Sequence, residues 1–164
     1  MNLRQSIEVL GNTKEHMPHI TLAPASVSDL DALVARRIEA MRESLERLGH
    51  FDPDRARERF QSGFVPAQTH HVELCGERVG FVVTKPCDDH LLLDHLYIRP
   101  GRQGAGIGAQ VLQLVFDQAD ALGLAVKVGA LKHSASNRFY QRHGFQLVEQ
   151  GDFDNYYLRP AQQR

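Results

Sequence analysis

One stretch limits what this chain can fold into more than any other: Leu96-Tyr97-Ile98-Arg99-Pro100-Gly101-Arg102-Gln103-Gly104-Ala105-Gly106-Ile107-Gly108. An apolar run ends, the chain turns at Pro100-Gly101, and a glycine-dense loop opens a segment of helical periodicity. Glycine lets a backbone approach a bound group closely, because no Cβ stands in the way. The first N–H groups of a helix lack partners within it, and the helix dipole favours an anion there. The junction therefore predicts a phosphate-binding turn between a strand and a helix. The same glycines also suit an ordinary tight turn.

The rest of the chain shows what surrounds that turn. His19–Ala25 alternates Ile20, Leu22 and Ala25 with polar residues, as a strand does. Ser28 is placed to cap a helix with Asp29 and Asp31 in its first turn; Leu30, Leu33, Val34, Ile38, Met41, Leu45 and Leu48 share one face, and Gly49 ends it. Asp52-Pro53 starts a second helix that reaches Gly63 with Ala56 and Phe60 inward. Its Arg55, Arg57 and Arg59 read as a solvated face.

Strand signals at 69–74 and 78–84 flank Cys75-Gly76-Glu77 as a hairpin, and His90–Ile98 forms a third strand of that group. After the glycine loop, Ile107, Val111, Leu114, Val115 and Leu122 mark the inward face of a helix closed by Gly123. Ala125–Ala130 reads as a short buried strand, and Ser134 caps a helix through His143. Segments 145–149 and 153–158 close the chain as a strand pair. The order β-α-α-β-β-β-α-β-α-β-β predicts a mixed sheet flanked by helices.

Length and charge narrow the function. A chain of 164 residues suits one compact domain, here 17–164 behind a flexible N-terminal extension, 1–16. A net charge of −1 gives no electrostatic case for nucleic acid or an anionic membrane as partner. Without an apolar run of membrane-spanning length or a signal-peptide core, a cytoplasmic protein is expected. Cys75 and Cys87 read as buried free thiols. The nine histidines are scattered without ligand spacing, so no metal is expected.

With this order in hand, the chain resembles the GNAT superfamily of acyl-coenzyme A-dependent N-acetyltransferases. Gln103-x-x-Gly106-x-Gly108 matches the family's Gln/Arg-x-x-Gly-x-Gly/Ala loop, and it follows a strand ending Leu96-Tyr97-Ile98-x-Pro100. Downstream, Asn137-Arg138-Phe139-Tyr140 runs into Gly144-Phe145, like the family's asparagine-x-x-tyrosine helix. Together the two motifs span roughly the C-terminal half. The resemblance implies a mixed, mostly antiparallel α/β (α+β) sheet with a splayed central strand pair. A dinucleotide site is the rival, since Gly104-x-Gly106-x-x-Ala109 nearly satisfies that fingerprint. The loop comes late for that fold, and the next strand offers Lys127 in place of an acid.

The resemblance also implies a division of labour. Acetyl-coenzyme A would lie with its pyrophosphate on the backbone of Gln103, Gly104, Ala105, Gly106, Ile107 and Gly108, with Arg102 and secondarily Lys132 adding charge. Main-chain groups of Leu96, Tyr97 and Ile98 would pair with the pantetheine arm, provided that Ala125–Ala130 splays away. An N–H of Leu96 or Ile98 would polarise the thioester carbonyl. Asn137 would bond the arm, and Tyr140 would protonate the leaving thiolate.

Many relatives carry a glutamate on the fourth strand where this chain has Leu92. Asp94, two residues on and on the same strand face, is the replacement base. His95 points to the other face unless a bulge intervenes, and His71 would act through water. His50, Phe51, Tyr156 and Tyr157 are candidates for an acceptor wall drawn from 48–53 and 152–157. The expected acceptor is a primary amine on a small molecule or peptide. A homodimer through the terminal strands is permitted. A non-catalytic acyl-coenzyme A sensor is the alternative.

Overall fold

The computed structural model describes residues 19–47, 49 and 52–162, the side chains of residues 43–45 excepted. The extension at 1–16, and Leu48, His50 and Phe51 of the expected acceptor wall, lie outside the described residues. Seven strands form one sheet: β1 (Ile20–Pro24), β2 (Thr69–Leu74), β3 (Glu77–Pro86), β4 (His90–Ile98), β5 (Ala125–Leu131), β6 (Gln146–Gln150) and β7 (Asp154–Arg159). Their order is β1-β2-β3-β4-β5-β7-β6, antiparallel throughout except for the parallel β4–β5 pair. The helices are α1 (Leu30–Arg47), α2 (Pro53–Gly63), α3 (Ile107–Leu122) and α4 (Ser136–Arg142). This is the mixed sheet with flanking helices that the element order predicts, and the mostly antiparallel pairing that the family resemblance implies.

Each face of the sheet carries its own core. On one, Val111, Leu112, Val115 and Ala119 of α3 pack with Val82, Leu91, Leu93, Val126 and Val128, whereas Leu114 and Leu122, expected inward, are exposed. On the other, Leu33 and Val34 of α1 and Phe60 of α2 pack with Phe81, Val83 and Tyr97. The α1 stripe with its 3-4 spacing and the period-2 alternation of β3 and β4 put these residues inward.

Local chemistry differs from the sequence reading at three points. Ser26, not Ser28, begins the α1 region: its N–H donates to Asp29 Oδ2 at 2.9 Å, across a short 3-10 turn at Val27–Asp29. Spacing does not choose between them, since Ser26 stands three residues ahead of Asp29 and Ser28 three ahead of Asp31; the structure does, because the reciprocal capping contacts form between Ser26 and Asp29. Ala135 occupies the N-cap of α4, while Ser134 sits one residue outside, with its oxygens facing the Asn137 amide. Both cysteines are exposed. Cys75 (φ 52°) and Gly76 (φ 81°) form the two-residue turn between the paired Leu74 and Glu77, so the thiol points outward. Cys87 lies in the turn before β4.

Asp52 caps α2 as expected, accepting from the Arg55 N–H at 3.2 Å ahead of Pro53. Arg55, Arg57 and Arg59 are exposed, and Arg57 reaches Asp31 of α1 at 2.9 Å. No helix among the described residues is long and apolar enough to cross a membrane, and none of their His, Cys, Asp and Glu side chains group in threes able to hold a metal ion.

A candidate acyl-transfer cleft at the splayed strands

Two irregularities coincide in the middle of β4. Its pairing with β3 runs Val83↔His95 and then Thr84↔Leu93, so Asp94 is an extra, unopposed residue: a β-bulge. Its parallel pairing with β5 ends at Leu93↔Val128, although both strands continue. Beyond the bulge, β4 and β5 part. The sheet is opened at its centre.

The ladder determines which backbone groups face the opening. Arg99 N–H donates to Val79 C=O on β3 at 2.8 Å. Both polar groups of an antiparallel residue point the same way, and successive residues alternate. Tyr97 therefore turns its main chain toward β3, while Leu96 and Ile98 present theirs to the gap. Of these, the Ile98 carbonyl accepts from Gln103 Nε2 at 3.0 Å. Of the three strand residues expected to meet the pantetheine arm, Tyr97 is thus turned away.

Leu96 and Ile98 form one wall of an open cleft of about 410 Å³. Arg102, Gln103, Gly104 and Gly106 line it from the loop, Gly108 from the first turn of α3, and Ser136, Phe139, Tyr140 and Arg142 from α4, with His143 at its C-cap. The sequence places α4 far from the loop, and the parallel crossover through α3 brings them together. Gly106, the N-cap of α3, adopts φ 79°, a left-handed conformation that glycine takes without steric cost. At Gly108 a Cβ would stand 3.0 Å from Phe139 Cζ, so close packing of α3 on α4 requires the hydrogen there. Ile107 is buried in the α3 core and Ala105 is exposed on the loop.

Tyr140 is buried, and its hydroxyl makes no hydrogen bond to a described residue. Burial pushes the phenol up to about 12, opposed by the positive charge of Arg37. It stays protonated at neutral pH, as a proton donor must. Asn137 is placed differently from the expected arm-binding role. Its Nδ2 donates to the carbonyls of Leu131 and Ser134, both at 2.9 Å, and its Oδ1 accepts from Asn155 Nδ2 at 2.9 Å and the Tyr157 hydroxyl at 2.7 Å. An amide has two hydrogens and two lone pairs, so its capacity is spent inside the protein. Tyr157 is correspondingly a core residue, not an acceptor-wall residue, whereas Tyr156 is exposed beside Gly129.

On the α1 face of the opening, the bulge brings Asp94 and His95 into one small cavity with Arg59, Phe60, Phe64 and Thr69. Asp94 Oδ2 lies 3.4 Å from Lys85 Nζ and 3.6 Å from His95 Nε2. Lys85 also donates to the Gly63 carbonyl at 2.9 Å, tying the end of α2 to the bulge. Burial, and then the charge of Arg37, depress the His95 imidazole to about 3, against the opposing pull of Asp94. His95 is neutral at pH 7.

His71 is not part of this group. Its Nε2 is 3.0 Å from Asp29 Oδ2, and it lines a separate cavity under α1. Lys132 does not line the cleft, and Arg102 is ion-paired with Glu77 at its rim.

Sequence reasoning overlooked Arg37 and Arg142. Arg37 interrupts the apolar stripe of α1 three residues after Val34, and a charge on an inward face is the signal that marked it. Burial lowers its pKa, opposed by the charges of Tyr140, Asp94 and Asp154. Arg142 is an exposed cation on the cleft wall, and no spacing rule separates it from any other last-turn arginine.

Known structures share this architecture. An acetyltransferase from Thermus thermophilus superposes with a TM-score of 0.66 at 25% identity, over 88% of this chain and 99% of that one. The PaiA N-acetyltransferase of Thermoplasma acidophilum, solved with coenzyme A, has a TM-score of 0.66 at 16% identity, over 86% of this chain and 98% of that one. N-acetylglutamate synthase of Neisseria gonorrhoeae, solved with coenzyme A and N-acetyl-glutamate, has a TM-score of 0.62 at 16% identity, over 88% of this chain and 35% of that one. No curated protein sequence matches the chain. Residues 66–147, half of the chain, match the family model described as an acetyltransferase (GNAT) domain, and they contain the bulge, the loop and the tyrosine helix around the opened sheet; the chain belongs to the GNAT acetyltransferase family.

Proposed function

We propose that this protein is an N-acetyltransferase that carries the acetyl group of acetyl-coenzyme A to a primary amine of a small molecule or peptide by direct attack. One observation carries the reading: the strand edge left free by the splay, the glycine loop and the Tyr140 phenol all face one cleft. The residues fit such a donor. The free edge matches an extended arm with amide groups, the loop N–H groups and the α3 N-terminus suit a pyrophosphate, and Arg102 and Arg142 add positive charge.

The donor supplies a thioester carbonyl that an amine attacks. The N–H of Leu96 or Ile98 polarises that carbonyl and holds the oxyanion. Tyr140 protonates the departing thiolate. Asp94 takes the proton of the amine, directly or through one water in the cavity of about 20 Å³ beside it, where His95 Nδ1 is buried without a partner among the described residues. Asn137 acts as a positioning residue for the start of α4. Tyr156, Asp154 and Arg37 border the acceptor side. Action in the cytoplasm as a monomer or homodimer completes the proposal; Leu147 and Val148 are exposed on the edge strand β6.

Calorimetry with acetyl-coenzyme A, followed by thiol release against a panel of amines, tests this reading. Saturable donor binding with amine-dependent turnover supports it, and no binding at millimolar donor overturns it. The Lys85 ion pair on Asp94 favours a second reading, a module that binds acyl-coenzyme A without turnover. Donor binding with no amine-dependent thiol release across the panel would select that one.

A further inference from the structure

A second cavity lies on the α1 face, beside the far end of β4 from the bulge. It measures about 160 Å³, well above the roughly 10–15 Å³ that admits one water. Its walls come from four elements: Leu33 and Arg36 of α1, His71 of β2, Arg78 and Phe81 of β3, and Tyr97 of β4, with Arg99 just beyond. Three arginines converging on one cavity floored by apolar side chains is an arrangement that the acyl-transfer reading does not use.

A polar atom at the bottom strengthens the case. Tyr97 is 6% exposed, and its hydroxyl is buried without a hydrogen-bond partner among the described residues. A buried hydroxyl left without a partner is costly to the fold, so a ligand able to accept its proton recovers that cost. Burial, and then the charge of Glu39, raise the Tyr97 pKa; Arg36, by its charge and by the approach of its guanidinium to the phenol oxygen outside hydrogen-bond geometry, and then Arg99 oppose them, so the phenol keeps its proton at neutral pH.

The carboxylates nearby are engaged by other groups as well. Arg36 makes no ion pair with a described residue. Arg78 meets Asp29 by one contact of 3.5 Å, and Asp29 is already bound by His71 at 3.0 Å. Arg99 shares Glu77 with Arg102. Three guanidinium groups thus stand against the carboxylates of Asp29, Glu39 and Glu77, of which Asp29 is held by His71 and Glu77 is shared with Arg102 outside the cavity.

We propose that Arg36, Arg78 and Arg99, grouped about the Tyr97 hydroxyl, form a second anion site that takes a small carboxylate- or phosphate-bearing ligand. The guanidinium groups supply charge and paired N–H donors, the phenol supplies one more, and Leu33 and Phe81 contact the ligand's apolar body. The proposal stands independently of the acetyl-transfer reaction.

The test is titration of the full chain with inorganic phosphate and, separately, with butyrate, followed by calorimetry and amide chemical shifts. Saturable binding that shifts Gly80 and Phe81 is expected, and whichever probe binds more tightly identifies the head group. Arg36→Gln, an exposed change that leaves the fold intact, should weaken binding about tenfold, the loss of one charge-assisted bond. Tyr97→Phe should weaken it about threefold to tenfold for the loss of the phenol donor. Two results would overturn the site: no saturable binding of either probe at tens of millimolar, or binding that Arg36→Gln leaves unchanged and that Arg142→Gln or added coenzyme A abolishes.

Discussion

Asp94 and His95 are neighbours in sequence, yet they occupy the same side of β4, with Asp94 Oδ2 at 3.6 Å from His95 Nε2. Regular strand geometry would send them to opposite faces. The bulge that unites them also marks where β4 leaves β5, so one backbone defect both opens the cleft and furnishes its wall with titratable groups.

That geometry makes His95 a pH-dependent element of stability. Its imidazole is held at about 3 in the fold by burial and by Arg37, below the roughly 6.5 of an unfolded histidine. A depressed group contributes stability that is complete above the unfolded pKa and is lost as pH falls toward the folded one. Between pH 7 and pH 5 the wild type should lose up to about 2 kcal/mol from this group alone. His95→Phe, which fits beside Phe60 and Phe81, should flatten that slope. Urea unfolding of both proteins at the two pH values measures it, and equal slopes would refute the assignment.

Tyr140→Phe removes one oxygen from the cleft wall and keeps the ring packed against Phe139 and Phe145. If the phenol protonates the thiolate, kcat should fall by about 10²- to 10⁴-fold while donor affinity changes little. Steady-state kinetics with calorimetric donor binding separates the two. An unchanged kcat removes the role.

Much of this arrangement was legible beforehand. The hairpin about Cys75-Gly76, the Asp52-Pro53 helix start and the glycine loop each rest on local chemistry, and each stands in the structure. The bulge was not legible as a fact, only as a condition on where His95 points, because the Leu91–Asp94 run carries no glycine or proline to announce it. Likewise Asn137 matched a motif position, but its four partners lie at the end of β5, on the loop before α4 and on β7, and no local pattern predicts that convergence. Arg37 was marked in the sequence as a charge on an inward helix face, whereas Arg142 acquires meaning only when α4 meets the glycine loop.

Asn137→Ala should separate scaffold from ligand contact. The change strands the Tyr157 hydroxyl in the core and frees two carbonyls, a loss of about 2–4 kcal/mol. Thermal unfolding should register that loss, while donor affinity corrected for folded fraction stays within about twofold, under 0.5 kcal/mol. Weak donor binding at unchanged stability would instead make the amide a direct ligand of the arm.

Gly80 tests the strand that carries the cleft's free edge. It is opposite Ile98, next to the register shift in β3, and a Cβ there would stand 2.0 Å from the Tyr97 carbonyl oxygen. Neither partner is a side chain that can swing aside, so Gly80→Ala must displace β3 or β4. It should cost about 3 kcal/mol or more, at the upper end for overpacking. At Gly108 the obstacle is instead the Phe139 ring, so Gly108→Ala should cost only about 1 kcal/mol. Its larger effect should be on the donor KM, because Phe139 lines the cleft. Chemical unfolding and donor titration of the two variants check the ordering. A Gly80→Ala protein as stable as wild type would show that β4 yields at Tyr97, and the free edge at Leu96 and Ile98 could then no longer be treated as a rigid template for the arm.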